Sequence, residues 1–247
     1  MPLSASGLAA ITRYWASFFG CPLAALDQPG VRVLPHAELE EYRGIFAFHR
    51  ELATLVSVPP DQVARWEAAL HGLNHAELLD LVYMARVAGV PPAQAIGPAL
   101  VAYADAATLR PLPTAGTRLL TALDEEAHTT LAAACDPTEW AHGGSEFGLL
   151  PLAGRFVRER LVALAGYEAW GEQIAHIAVI THPAHRGQGY GAEVVSLLAE
   201  TVIARGMLAQ YRTLRANTPS LRLGASLGFA PFAETLAVRL YSDAHNR

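Results

Sequence analysis

The chain has 247 residues, 52% of them hydrophobic and 17% charged, with a formal net charge of −5. This is the composition of a well-cored globular protein of one large or two small domains; it excludes a disordered chain and argues against the basic face that general nucleic-acid binding needs. All 18 basic residues are arginine, and two cysteines, Cys21 and Cys135, make neither a disulfide framework nor a metal site.

In chain order, Leu8 to Phe19 is expected to be helical, with Leu8, Ile11, Trp15, Phe18 and Phe19 on one face. Its apolar run is broken by Arg13 and follows no basic segment, so it does not read as a signal peptide. No apolar stretch approaches membrane-span length, and a cytoplasmic protein with no membrane partner and no metal is expected. Strands are expected at Val31–Leu34, Gly44–Phe48 and Leu52–Val58. Asp61 is placed to cap a helix at Gln62–Leu70. A second helix is expected from His75 to Ala88, with Leu78, Leu79, Val82, Met84 and Ala85 available for burial, before Gly89-Val90-Pro91-Pro92 breaks it. Leu100–Tyr103 reads as a short strand.

The Pro- and Gly-rich stretch Arg110–Gly116 reads as a linker, which divides the chain into an N-terminal α/β lobe, 1–113, and a C-terminal domain, 114–247. In the second part a strand at Thr117–Leu123 leads into a helix from Asp124 to Ala134. Cys135–Glu146 reads as a polar loop. Phe147–Leu152 and Arg155–Tyr167 read as a hairpin turning near Ala153-Gly154. A strand at Ala209–Arg215, a short helix at Ser220–Leu227 and a closing strand at Leu236–Tyr241 complete the order. Antiparallel strands followed by a strand-helix-strand unit imply an α/β (α+β) sheet of mixed pairing.

One stretch, Ile174 to Gly206, carries the chemistry. Ile174, Ile177, Val179 and Ile180 make an apolar, β-branched strand that ends at Thr181-His182-Pro183. Arg186-Gly187-Gln188-Gly189-Tyr190-Gly191 follows, and its alternating glycines let backbone approach a ligand closely. From Gly191 the pattern is helical through Val194, Val195, Leu198 and Val202. Free amides at that helix's N-terminus, with Arg186 beside them, suit an anion such as a phosphate. The loose dinucleotide fingerprint G-x-G-x-x-G/A also fits Gly187–Ala192, but Thr181–Arg186 separate it from the strand. No acidic residue occurs between Glu200 and Glu234 to hold a ribose.

Arg186-x-x-Gly189-x-Gly191 resembles the acyl-CoA signature of the GCN5-related N-acetyltransferase (GNAT) superfamily. Asn217-x-x-Ser220 and Leu227-Gly228-Phe229 resemble its second motif. The resemblance spans about Thr117 to Leu240. It implies a largely antiparallel, GNAT-type mixed sheet flanked by helices, with the N-terminal lobe open to reading as a degenerate second half. It also implies acetyl-CoA as cosubstrate, its pyrophosphate at Arg186, Gly187, Gln188, Gly189, Tyr190 and Gly191. The pantetheine arm would lie on Val179, Ile180 and Thr181, with Asn217 and Ser220 near it. The implied reaction is direct attack of a primary amine, of a small molecule or peptide, on the thioester. Homodimers occur in such a family, though no sequence feature here marks one.

Family members often place an acid near the start of the central strand. Here Glu172 and His176, four residues apart, are expected to share a strand face there. As a base, His176 has a pKa suited to neutral pH; the other reading makes Glu172 a solvated strand-end carboxylate and His176 a hydrogen-bonded sheet histidine. His142 is a further candidate; His182 and His185 read as loop histidines, and Trp140 and Trp170 as packing or an acceptor wall. The family's thiolate-protonating tyrosine, seven residues beyond the motif asparagine, corresponds to Gly224. That departure leaves a second function open, a non-catalytic acyl-CoA-binding or regulatory module.

Overall fold

The computed structural model describes residues 2–39, 42–113, 115–148 and 151–240. The elements are α1 (Ala5–Phe19), β1 (Gly30–Pro35), β2 (Gly44–Arg50), β3 (Ala53–Val58), α2 (Val63–Leu70), α3 (His75–Leu78), α4 (Leu81–Ala88) and β4 (Ala95–Ala104). Then follow β5 (Thr117–Leu119), α5 (Glu125–Ala134), α6 (Pro137–Gly143), β6 (Ala153–Val157), β7 (Arg160–Trp170) and β8 (Ile174–Thr181). The last elements among the described residues are α7 (Tyr190–Ala204), β9 (Leu208–Leu214), α8 (Thr218–Ser226) and β10 (Ala230–Arg239). The fold is a mixed, largely antiparallel α/β sheet architecture flanked by helices.

Two compact units are interleaved along the chain. One comprises residues 8–101, 213–217 and 231 onward; the other comprises 1–7, 102–212 and 218–230. In the first, β1 lies parallel to β3, and β3, β2 and β10 pair antiparallel. Ile45, Ala47, Val56, Val58, Trp66 and Leu236 form its core with α2 to α4. The last strand of the sequence therefore belongs beside β2, not beside its sequence neighbours.

The second unit orders its strands as the end of β4, then β9, β8, β7, β6 and β5. β8 is parallel to β9 and antiparallel to β7. Strand alternation sorts its side chains into two cores. Ala163, Ala165, Tyr167, Ala175, Ile177 and Tyr211 pack with Val194, Val195 and Leu198 of α7. Leu164 and Ile180 point the other way, onto Leu131 of α5 and Cys135. Both cysteines are free thiols. No helix among the described residues is long and apolar enough to cross a membrane.

Several local expectations are corrected. Asp61 does not cap α2: it lies in a 3-10 turn, Pro60–Gln62, and Gln62 stands at the cap position, its side chain accepting from the Trp66 indole and not from a helix amide. The helix expected at His75–Ala88 is two, because Asp80 accepts the Tyr83 amide and starts α4 afresh; Val82 then faces solvent. The strand expected at Thr117–Leu123 stops at Leu119, where Asp124 accepts both the Thr121 amide and hydroxyl and closes a 3-10 turn. Cys135–Glu146 contains α6, which Asp136 caps by accepting from the Thr138 and Glu139 amides. The hairpin turns at Arg158-Glu159, both at positive φ, and not at Ala153-Gly154, which lie within β6. Of the strand expected at Phe147–Leu152, Leu149 and Leu150 lie outside the described residues and the flanking positions are not strand. The closing strand starts earlier than expected, at Ala230, while Tyr241 lies outside the described residues.

Candidate active site

The site is built where β8 leaves its neighbour. β8 pairs with β9 from Ile174↔Leu208 to Ile177↔Tyr211, and no further among the described residues. On its other side it stays paired with β7 through Thr181. The backbone from Ala178 to Thr181 is thus bonded along one edge and open along the other. Val179 and Thr181 turn their backbone N–H and C=O groups to the open edge, whereas Ile180, in register with His182, bonds toward β7 and turns its side chain into the second core.

After β8 a short turn intervenes, Pro183–His185, whose cap is His182: the ring Nδ1 accepts from the Ala184 amide at 3.1 Å. Gly187 and Gly189 follow at φ +76° and +84°, with nothing within 4 Å of where a Cβ would stand. Their left-handed backbone swings the chain directly into α7, and no side chain caps that helix. The first amides of a helix have no partner within it; together with the helix dipole they form an anion cradle. The glycines begin six residues after Thr181, across a turn, which is not the strand-abutting arrangement of a dinucleotide fingerprint.

Arg186 stands at the lip of this cradle. Its guanidinium donates twice to Glu139 of α6, at 2.6 and 3.1 Å, and its Nε reaches the Thr181 carbonyl at 3.3 Å. α6 also touches β8 directly: a Cβ on Gly143 would stand 2.6 Å from the Val179 carbonyl, so only glycine allows the approach. Behind α6, His128 bonds the Ser145 carbonyl through Nε2 and packs edge-on to Trp140. Sequence reading missed Glu139. Its signal was present, since Asp-Pro-x-Glu is a helix-start pattern.

At the cradle's inner end three elements converge on Gly191. A Cβ there would lie 3.3 Å from Thr181 Oγ1, 3.4 Å from Leu223 Cδ1 and 3.7 Å from Val179 Cγ2. Tyr190 is held from the side by Arg155, whose guanidinium lies 4.9 Å above its ring and pairs with Glu193. Gln188 is exposed. Ser220, in the first turn of α8, shares a 2.7 Å hydrogen bond with the Tyr211 hydroxyl. Asn217 lies in the turn before α8, in the other compact unit, and its amide donates to the Leu214 carbonyl.

His176 sits on β8 at the Gln210 rung. Its Nδ1 donates to Gln210 Oε1 at 2.8 Å, and Gln210 in turn donates to the Tyr103 hydroxyl at 2.7 Å. Its ring stacks on Trp170 at 4.3 Å. Burial, helped by the charge of Arg212, pushes the His176 pKa down to about 4, against the pull of Gln210 and Glu168. Glu172 does not share its face: it lies in the turn between β7 and β8, outside the strand. His142 bonds the Thr138 carbonyl of its own helix. His182 and His185 stack edge-on beside the glycine loop. No group of three or more His, Cys, Asp or Glu side chains among the described residues is placed to hold a metal.

Known proteins can now be set against this geometry. The family described as FR47-like protein matches residues 156–238, from β6 to the end of β10. No curated protein matches the chain in sequence. A GCN5-related N-acetyltransferase-like protein from Streptococcus suis shares the fold with a TM-score of 0.50 at 15% identity, covering 94% of this chain and 100% of that one. A GNAT-family protein from Novosphingobium aromaticivorans is 26% identical over 61% of this chain and 70% of its own, with a TM-score of 0.46. An acetyltransferase structure from Salmonella typhimurium, which contains acetyl-CoA, matches 52% of this chain and 95% of its own at 16% identity and a TM-score of 0.37. Residues 156–238 thus match the FR47-like family, and the fold as a whole is shared with a GCN5-related N-acetyltransferase-like protein.

Proposed function

We propose that the chain is an N-acetyltransferase that takes acetyl-CoA and passes its acetyl group to a primary amine by direct attack. The observation that carries this reading is the adjacency of two backbone vacancies: the unpaired edge of β8 at 178–181 and the uncapped start of α7. An extended, amide-bearing arm can add to the first as a partial strand, and phosphates can accept from the second. Acetyl-CoA supplies both in one molecule, together with the activated acyl group. The Gly187–Gly191 amides and Arg186 are the residues that would hold its pyrophosphate, and the Val179 to Thr181 backbone would align the arm.

His176 is the proposed base. Its Nδ1–H is committed to Gln210, so Nε2 carries the lone pair. With a pKa near 4 the ring is neutral at physiological pH. It is too weak to deprotonate a free ammonium, but the amine nitrogen becomes strongly acidic once it has bonded to the carbonyl carbon, and a neutral imidazole can accept that proton. Chain groups otherwise contribute positioning and exclusion of water.

A second reading, a module that binds acyl-CoA without turnover, is favoured by Gly224 standing where relatives carry the acid tyrosine. Calorimetric titration with acetyl-CoA, followed by a thiol-release assay across small amines and peptide N-termini, separates the two. Saturable binding with steady thiol release supports transfer. Binding without release across the panel supports the module, and absence of binding overturns both.

A further inference from the structure

The helix position that lacks a tyrosine is not empty space. A Cβ on Gly224 would lie 3.0 Å from Cδ1 of Tyr211, so the Tyr211 ring already occupies the room in front of it. Tyr211 comes from β9, and it is the last residue of β9 paired to β8 before the strands part. Its ring is buried, only 4% exposed, yet its hydroxyl reaches Ser220 Oγ at 2.7 Å. Ser220 and Gly224 are one helical turn apart on α8, and Leu223 between them touches the Gly191 end of the glycine loop. One face of α8 and one side chain of β9 therefore meet at the fork.

The two faces of the sheet at this rung carry different chemistry. His176 and Gln210 face one way, Ile177 and Tyr211 the other. Transfer at the fork passes through a tetrahedral carbon that collapses by breaking its carbon–sulfur bond, and the hydroxyls of Tyr211 and Ser220 stand on the sheet face opposite His176.

We propose that Tyr211 is the proton donor to the departing thiolate, supplied from β9 in place of a tyrosine on α8. The inference rests on the acetyltransferase reading above. In the step, the amine nitrogen bonds to the acyl carbon, the carbon–sulfur bond breaks with its electrons going to sulfur, and the thiolate takes the Tyr211 hydroxyl proton. The proton shed by the attacking nitrogen passes to His176 and is given up to solvent, and a proton returns to the tyrosinate from solvent by way of the Ser220 hydroxyl, so amide and free thiol are the only products. Burial raises the Tyr211 pKa, against the Ser220 hydrogen bond, so the phenol enters each turnover protonated.

The test is Tyr211→Phe, which keeps the ring that packs beside Gly224. The wild type and the variant are titrated with acetyl-CoA by calorimetry and then assayed in single turnover with the best amine. The expected result is a dissociation constant changed by less than about 2-fold and a transfer rate lowered by about 10²-fold. A second protein, Tyr211→Ala with Gly224→Tyr, moves the phenol to α8 and is expected to recover at least about a tenth of the wild-type rate. An unchanged rate in Tyr211→Phe overturns the assignment. A rate loss matched by an equal loss of acetyl-CoA affinity overturns it too, since the residue would then act in binding. A wild type that binds acetyl-CoA but releases no thiol overturns the acetyltransferase reading itself, and the assignment with it.

Discussion

His176 makes a prediction that does not depend on finding the acceptor. In an unfolded chain an imidazole titrates near 6.5; between β7 and β9, buried and facing the charge of Arg212, this one titrates near 4. The unfolded chain thus binds a proton that the fold refuses over that interval. Stability contributed by the neutral ring is complete above pH 6.5 and is lost as pH falls toward 4. The full interval corresponds to about 3 kcal/mol, and the part between pH 7 and pH 5 to about 2 kcal/mol. The perturbation is His176→Asn, whose amide keeps a donor for Gln210 Oε1 but cannot titrate. Urea unfolding of both proteins, followed by far-UV circular dichroism, is measured from pH 7.5 to 4.5. The wild type is expected to lose about 2 kcal/mol more than the variant between pH 7 and 5, all other groups being common to both. Parallel curves would refute the reasoning, and would mean that the ring is hydrated enough to accept its proton in the folded state.

Gly189→Ala places a Cβ in open space but forces an L residue to φ +84°, so it is expected to lower stability by about 1–2 kcal/mol, read as a drop in Tm. Gly191→Ala, inside the first turn of α7, meets only side-chain atoms at 3.3 Å and beyond; its Tm is expected to stay within a degree or two of the wild type. Asp124 is buried, takes two bonds from Arg118 and two from Thr121, and its carboxyl is held far below the usual aspartate range, chiefly by Arg118. Asp124→Ala is expected to cost about 2–3 kcal/mol at pH 7 in urea unfolding. In the wild type that contribution is fully present above the ordinary aspartate pKa of 3.8 and is lost only as pH falls below it. Glu139→Gln breaks an ion pair whose two side chains are each about half exposed, 48% and 47%, so stability should move by less than about 1 kcal/mol. The freed Arg186 is expected to tighten acetyl-CoA binding by up to about 5-fold in calorimetry; weaker binding would show that Glu139 orients Arg186 and does not compete for it.

Sequence periodicity and turn chemistry were enough to place α1, β1 to β3, β8 and α7, because each is an apolar or amphipathic run bounded by Gly, Pro or turn residues. Periodicity misled where a short-range side-chain bond decides the boundary. Thr117–Leu123 is apolar enough for a strand, yet the bidentate Arg118–Asp124 pair pulls Asp124 back and ends it at Leu119. The His75–Ala88 pattern is continuous by periodicity, but Asp80 captures the Tyr83 amide and makes a new helix start. Within the site, the glycine loop was legible because alternating glycines after a strand have few other uses. The helix start at Glu139 had a local signal, but its pairing with Arg186 and the packing of Tyr211 against position 224 were not legible, since nothing local relates residue 139 to 186 or residue 211 to 224. Those pairings exist only once α6 lies on β8 and α8 on β9.

The arrangement also explains why the two vacancies are tolerated. A strand edge left open inside a sheet, and a helix start left uncapped, are ordinarily features a fold covers or charges. Here the edge opens only where β9 diverges, four residues after the pairing begins, and the helix start is made of glycines that cannot cap it. Arg186 stands between the two, with its guanidinium donating to Glu139. The fold thus keeps one side of β8 bonded to β7 through Thr181 and leaves the other unpaired beyond Ile177 among the described residues. A phosphate alone would satisfy α7 and leave β8 open, and a peptide alone would satisfy β8 and leave α7 unfilled. A molecule with an amide-bearing arm joined to phosphates answers both, and the proposed acyl-CoA reading draws its support from this backbone geometry and not from any single side chain.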